Sequence, residues 1–180
     1  MGFTLDIASK NEYKLIKRLF ISAFPKEERP PFFILSTRAK RGKGDMLIAK
    51  DGGKFVGFVY VVGNEGLSYL FFLAVEESER GNGYGTKILD YVKARYKGNK
   101  IFLARERLDE PCDNLEQRLN RHKFYLKNGF VDLECKIVEG GVVFDAMSIG
   151  GEITNEEYTA LIDSWCGKFA RKRIGMYVKE

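Results

Sequence analysis

Apolar residues recur along this chain at two periods, and each change of period marks a new element. Phe3 to Ala8 alternates apolar and polar residues, the pattern of a first strand. From Asn11 to Ala23, the residues Tyr13, Ile16, Leu19, Phe20 and Ala23 fall at helical spacing, with Ser9 or Asn11 placed to cap the helix. Pro25, Pro30 and Pro31 break that pattern, and Phe32 to Ala39 suits a second helix. Three strands are then expected in a row. Met46 to Lys50 ends at Asp51-Gly52-Gly53, a hairpin signal, and Lys54 to Val62 ends at Gly63-Asn64-Glu65-Gly66. Leu67 to Val75 is almost wholly apolar, as a buried central strand requires. The three read as an antiparallel meander.

Helical spacing returns at Tyr84 to about Lys97, where Gly85, Ile88, Leu89, Val92 and Tyr96 line one face and Gly98-Asn99 closes the helix. Lys100 to Ala104 reads as a strand. Strand, helix, strand in this order implies a right-handed crossover and a parallel pair. Asn114 to Asn128 reads as a second crossover helix with Leu115, Leu119 and Leu126 facing inward. Two strands follow, Phe130 to Val138 and Val142 to Met147, joined at Glu139-Gly140-Gly141. A terminal helix from Thr154 to Ala170 carries Tyr158, Leu161, Ile162, Trp165 and Phe169 on one face, with Thr154 and Glu157 at capping-box spacing. The sum is a mixed α/β fold with an antiparallel N-terminal half, a parallel central pair and flanking helices. No linker divides it, so residues 1–180 are expected to form a single domain.

Composition agrees with that reading and narrows the classes of function. The chain has 180 residues, 44% apolar and 31% charged, with charges spread rather than blocked, which suits an ordered globule and excludes a disordered tail. Its net charge of +5 suits a polyanionic small molecule as well as a plain basic surface. Cys112, Cys135 and Cys166 are widely spaced, and His122 is the sole histidine, so no structural metal site is expected. Free thiols, the lack of a signal-peptide pattern in Met1 to Lys10 and the lack of an apolar run near the ~20 residues of a membrane helix point to a cytoplasmic protein.

The segment Val75-Glu76-Glu77-Ser78-Glu79-Arg80-Gly81-Asn82-Gly83-Tyr84-Gly85-Thr86 carries the most chemistry. A buried strand ends, glycines follow and an amphipathic helix starts. Unpaired N–H groups at that helix start form an anion site, glycines admit a phosphate close to the backbone, and Arg80 adds a charged fork of donors. Glycines at 81, 83 and 85 fit neither the GxGxxG fingerprint nor a Walker loop. A glycine-rich turn kept only for packing is the plainer alternative. Arg80, Gly83 and Gly85 fill the pattern (Q/R)xxGx(G/A), and with Phe72-Leu73-Ala74-Val75 before it and Ile88-Leu89 after it the run resembles motif A of the GNAT N-acetyltransferase superfamily. The resemblance is clear from Leu67 to Phe130. It implies acetyl-CoA as cosubstrate and no metal, with Leu73, Ala74 and Val75 facing pantetheine and Arg80, Gly81, Asn82, Gly83, Tyr84, Gly85 and Thr86 around the pyrophosphate.

The same resemblance extends to Tyr125-Leu126-Lys127-Asn128-Gly129-Phe130, where the matching tyrosine commonly protonates the leaving thiolate; Tyr125 packed on Phe124 is the plainer alternative. Arg118, Arg121 and Tyr125 share a helix face. Where relatives carry a pantetheine-binding asparagine this chain has Arg118, with Asn114 one turn earlier, and both are candidate cofactor contacts. Glu106, just past a strand, is the candidate base, against the alternative of a loop carboxylate paired with Arg105 or Arg107; Asp109 and Glu110 are further candidates. Glu27 and Glu28 sit where the family builds its acceptor wall and would attract a cationic amine. His122 reads as a surface residue and Arg171-Lys172-Arg173 as a solvated tail. The expected acceptor is a small-molecule or peptide amine, with no membrane or nucleic-acid partner and no readable oligomeric state. Two rival classes stand beside this reading: an acyl-CoA-binding module without turnover, and a basic protein associated with RNA or the ribosome.

Overall fold

The computed structural model describes residues 2–26, 29–110 and 112–179. Its elements run β1 (Phe3–Ile7), α1 (Tyr13–Ala23), α2 (Phe32–Lys40), β2 (Asp45–Asp51), β3 (Lys54–Gly63), β4 (Leu67–Val75), α3 (Tyr84–Arg95), β5 (Lys100–Arg105), α4 (Leu115–Lys127), β6 (Val131–Glu139), β7 (Val142–Ile149), α5 (Asn155–Cys166), α6 (Lys168–Ile174) and β8 (Tyr177–Lys179). The fold is mixed α/β, and β4 and β5 form its parallel pair. Two units divide the chain: one takes in the sequence through Val62 together with Leu70–Lys97, the other Gly63–Tyr69 and the residues from Gly98 onward. β4 therefore contributes its first three residues to the second unit and the rest to the first.

In the first unit the strands lie in the order β1-β2-β3-β4, with β1–β2 and β2–β3 antiparallel. Helix α1 buries Ile16, Leu19 and Phe20, as its spacing requires. The ring of Phe20 meets Phe72 at 5.0 Å, Phe32 at 5.7 Å and Phe58 at 6.3 Å, joining both helices to β3 and β4. Burial of such a ring contributes about 1.5–3 kcal/mol. The predicted cap is corrected. Glu12 occupies the N-cap and neither Ser9 nor Asn11 caps α1. Instead the N–H and hydroxyl of Ser9 both donate to Glu12 Oε2, at 2.7 Å each. Lys50 pairs with the other oxygen, and that bond, first among the causes, holds the Glu12 carboxyl down at about 2.

In the second unit the order is β4-β5-β7-β6-β8, with every pair after β4–β5 antiparallel. The parallel ladder matches Leu67, Ser68 and Tyr69 with Lys100, Ile101 and Phe102, and the rings of Tyr69 and Phe102 stack at 4.4 Å. Asn99 fastens its start by donating to Asn64 O at 2.8 Å and Ser68 Oγ at 2.9 Å. Tyr69 and Tyr158 both donate to Glu139 Oε1, at 2.9 and 2.7 Å. Burial raises the Glu139 carboxyl above its usual 4.5 against the pull of those two hydrogen bonds.

Three expectations fail in this unit. Leu115, Leu119 and Leu126 are exposed, and the covered face of α4 is the polar one that holds Arg118, Arg121, His122 and Tyr125. The terminal helix keeps its capping box and buries Tyr158, Leu161, Ile162 and Trp165, but it breaks at Gly167, whose φ of 90° suits glycine. Phe169 falls past that break and is 79% exposed. The basic run is helical rather than a tail: it lies in α6 with a short β8 after it, and Arg171 binds Asp163 at 2.7 Å, while Lys172 and Arg173 are solvated as expected. His122 is likewise engaged, 2.8 Å from an Asp132 oxygen.

Candidate active site

β4 ends at Val75, and one 3-10 turn at Glu77–Glu79 leads into Arg80 and the glycines. Gly81 and Gly83 hold φ values of 83° and 77°, in the region where a side chain is strained. Gly83 is the N-cap of α3, no side chain caps that end, and its first turn contains no acid. Lys87 N bonds Gly83 O at 3.1 Å, as the first helical turn closes. The N–H groups of Tyr84, Gly85 and Thr86 precede that bond, and the helix dipole adds partial positive charge there. Asn82 and Arg80 are exposed, Thr86 is half-buried, and Arg80 makes no ion pair among the described residues. The Tyr84 phenol donates to Asp51 Oδ2 at 2.7 Å, so this residue offers the loop its backbone N–H rather than its hydroxyl.

Glu76 and Glu79 flank this anion site and would repel a phosphate if left bare. Glu76 pairs with Arg18 and Glu79 with Lys54. These cations lie 58 and 25 residues from their partners in sequence, so no local spacing reveals them. Glu77, in the same turn, is exposed and makes no ion pair among the described residues, while the donors, the open glycines and the pairing of Glu76 and Glu79 fit a pyrophosphate. Ala74 is buried, while Leu73 and Val75 are half-buried at the strand end leading into the loop.

The other candidates lie in the second unit. Glu106 and Tyr125 are each 8% exposed. Glu106 is paired with Arg121 through Oε2, rather than with Arg105 or Arg107. Its Oε1 makes no hydrogen bond among the described residues. Arg105 donates to the Glu106 backbone carbonyl at 3.1 Å and pairs with Asp132 and Asp145 at 3.0 and 2.9 Å. Tyr125 packs on Phe124 and Phe130, with ring centroids at 5.3 and 5.5 Å, and its hydroxyl makes no hydrogen bond among the described residues. Burial pushes the phenol up to about 12, with Glu106 adding to the rise and Arg121 opposing it. Helix spacing indicated the shared face of Arg121 and Tyr125, but the link from Arg121 to a carboxylate 15 residues away could not be read.

Arg118 donates from Nε to Asn114 Oδ1 and from Nη1 to Arg107 O, at 2.9 Å each, so these two candidates hold one another. Arg107 binds Asp109 at 3.0 Å through Nε and Glu110 at 3.1 Å, and its bond lowers the Asp109 carboxyl from the usual 3.8. Glu27 and Glu28 lie outside the described residues.

The chain is similar to known proteins in both sequence and fold. The family model of the acetyltransferase (GNAT) domain matches residues 42–132, just over half of the 180-residue chain. No curated protein matches. A solved protein described as a GNAT-family acetyltransferase from Bacteroides thetaiotaomicron is 23% identical, with a TM-score of 0.73 over 96% of this chain and 98% of that one. An aminoglycoside 6′-N-acetyltransferase solved with coenzyme A is 18% identical, with a TM-score of 0.62 over 81% of this chain and 96% of that one. Naa50 of Arabidopsis thaliana, solved with the bisubstrate analogue CoA-Ac-MVNAL, is 19% identical, with a TM-score of 0.62 over 84% of this chain and 100% of that one. At such identities the structural likenesses speak for the fold, and the family-model match over residues 42–132 speaks for the family. The chain belongs to the GNAT acetyltransferase family.

Proposed function

We propose that this chain is a cytoplasmic N-acetyltransferase whose residues 1–180 work as one domain, moving an acetyl group from acetyl-CoA to a primary amine by direct attack in a ternary complex. The observation that carries the reading is the acid-free start of α3, which no side chain caps among the described residues, beside Arg80, which makes no ion pair among them. Acetyl-CoA supplies the activated acyl group. The N–H groups from Gly81 to Thr86, with Arg80 and Asn82, hold its pyrophosphate. Main-chain groups of Leu73, Ala74 and Val75 face the pantetheine, and N–H groups near Ala74 and Val75 polarise the thioester carbonyl. Asn114 and Arg118 add polar contacts to the cofactor. Glu27 and Glu28 draw the cationic acceptor in.

Glu106 accepts the proton that the ammonium must lose, directly or through water, at the Oε1 that Arg121 leaves unbonded. Tyr125 then protonates the leaving thiolate. Its phenol fits that duty because it is protonated at neutral pH, as any tyrosine is, and its hydroxyl has no other partner to give up among the described residues. Binding without turnover is the second reading, favoured by the Arg121 pairing, which occupies one of the two Glu106 carboxylate oxygens.

A screen for free-thiol release from acetyl-CoA across polyamines, amino acids, aminoglycosides and peptides separates the two. The enzyme reading expects amine-dependent release with at least one class. Release no faster than hydrolysis with every class, from protein that binds acetyl-CoA, leaves the binding module as the correct description.

A further inference from the structure

Gly57 lies in the middle of β3 and is buried, and its φ is not in the left-handed region. Backbone conformation therefore does not require a glycine there. Space does. A β-carbon at position 57 would stand 2.5 Å from Ala74 O and 3.2 Å from Val75 Cα, with Ile88 Cδ1 of α3 at 3.4 Å. The first two are main-chain atoms of β4 and cannot swing aside. The register of β2 against β3 slips at the same place: Ala49 faces Gly57 but Lys50 faces Phe55, which leaves Val56 as the extra residue of a bulge. The carbonyl of that extra residue accepts the N–H of Glu76 at 2.9 Å. Bulge and glycine together let the end of β4 settle onto β3.

We infer that Gly57 is a positioning residue for acetyl-CoA, acting through the main chain of Ala74 and Val75. This deepens the proposed function and rests on it. A side chain at 57 lifts the strand end that faces the pantetheine and shifts Ile88, which stands one turn inside the helix that starts at the pyrophosphate loop. The acceptor's own contacts are left as they were.

Two variants, Gly57→Ala and Gly44→Ala, test this against a purely structural role. Position 44 is equally tight, since a β-carbon there meets Tyr60 Oη at 2.5 Å, but it touches a side chain and not β4. Both variants should lose thermal stability. Calorimetric titration with acetyl-CoA, run well below both midpoints, should show affinity about tenfold weaker or worse for Gly57→Ala and within about twofold of wild type for Gly44→Ala. With an amine from the screen, Gly57→Ala should raise KM for acetyl-CoA and leave KM for the amine unchanged. Wild-type affinity in a folded Gly57→Ala, or equal weakening in both variants, overturns the inference. If Gly57→Ala does not fold, hydrogen exchange on the wild type decides. Acetyl-CoA should slow exchange of the Glu76 amide bonded to Val56, and an unchanged rate there beside slowed amides in the glycine loop overturns the inference. A wild-type protein that fails to bind acetyl-CoA at all removes the cofactor reading, and this inference with it.

Discussion

Tyr125 concentrates the chemistry proposed for the second unit into a single hydroxyl. Its ring is clamped by Phe124 and Phe130, and its phenol is pushed up to about 12 with no hydrogen bond spent among the described residues. Tyr125→Phe keeps the ring and its packing and removes only that group. Turnover should fall about 10²-fold, the scale of losing a general acid, while acetyl-CoA affinity stays near wild type. The raised value also fixes a sign. A phenol that loses its proton only near 12 stays competent as an acid across neutral pH, so wild-type kcat should show no falling limb from Tyr125 up to about pH 9. Unchanged turnover in Tyr125→Phe assigns the proton to water or another group. Lost affinity without a separate rate effect makes Tyr125 a pantetheine contact.

At the scale of elements, the glycine loop is the part most open to a decisive change. A β-carbon at Gly83 meets nothing within 4 Å, so Gly83→Glu has room, although φ of 77° adds strain of about 1–2 kcal/mol. Its carboxylate would stand at the uncapped start of α3 and repel a pyrophosphate. Far-UV circular dichroism should stay native while coenzyme A binding disappears. Retained affinity moves the phosphate site elsewhere.

Where sequence and structure agree among the elements, local chemistry decides. β4 has the predicted bounds, Leu67–Val75, because glycine punctuation precedes an apolar run that only Ser68 interrupts. The Thr154–Glu157 capping box forms because both partners lie within one turn. Disagreement arises where distant partners decide. Leucine spacing on α4 pointed to an apolar inner face, yet the covered face carries Arg118, Arg121 and His122, because Arg107 O, Glu106 and Asp132 provide acceptors for them. The periodicity of α5 runs on to Phe169, and only the positive φ at Gly167 ends it. A three-residue strand such as β8 carries too little pattern to be read.

For the whole molecule, motif and charge were legible and the arrangement of charges was not. A net charge of +5 could have meant a nucleic-acid surface. Arg18, Lys54, Arg105, Arg121 and Arg171 are engaged with carboxylates, others such as Lys123, Lys127, Lys172 and Arg173 are exposed, and Arg80 is set apart from these by standing in the loop whose sequence resembles a pyrophosphate cradle. That contrast makes cofactor binding the central claim, and calorimetric titration of acetyl-CoA into the wild-type protein tests it most directly. Saturable one-to-one binding is expected, accompanied by a thermal midpoint that rises with ligand concentration, because a ligand held only by the native state stabilises it by mass action. No heat and no midpoint shift at millimolar acetyl-CoA would contradict the account.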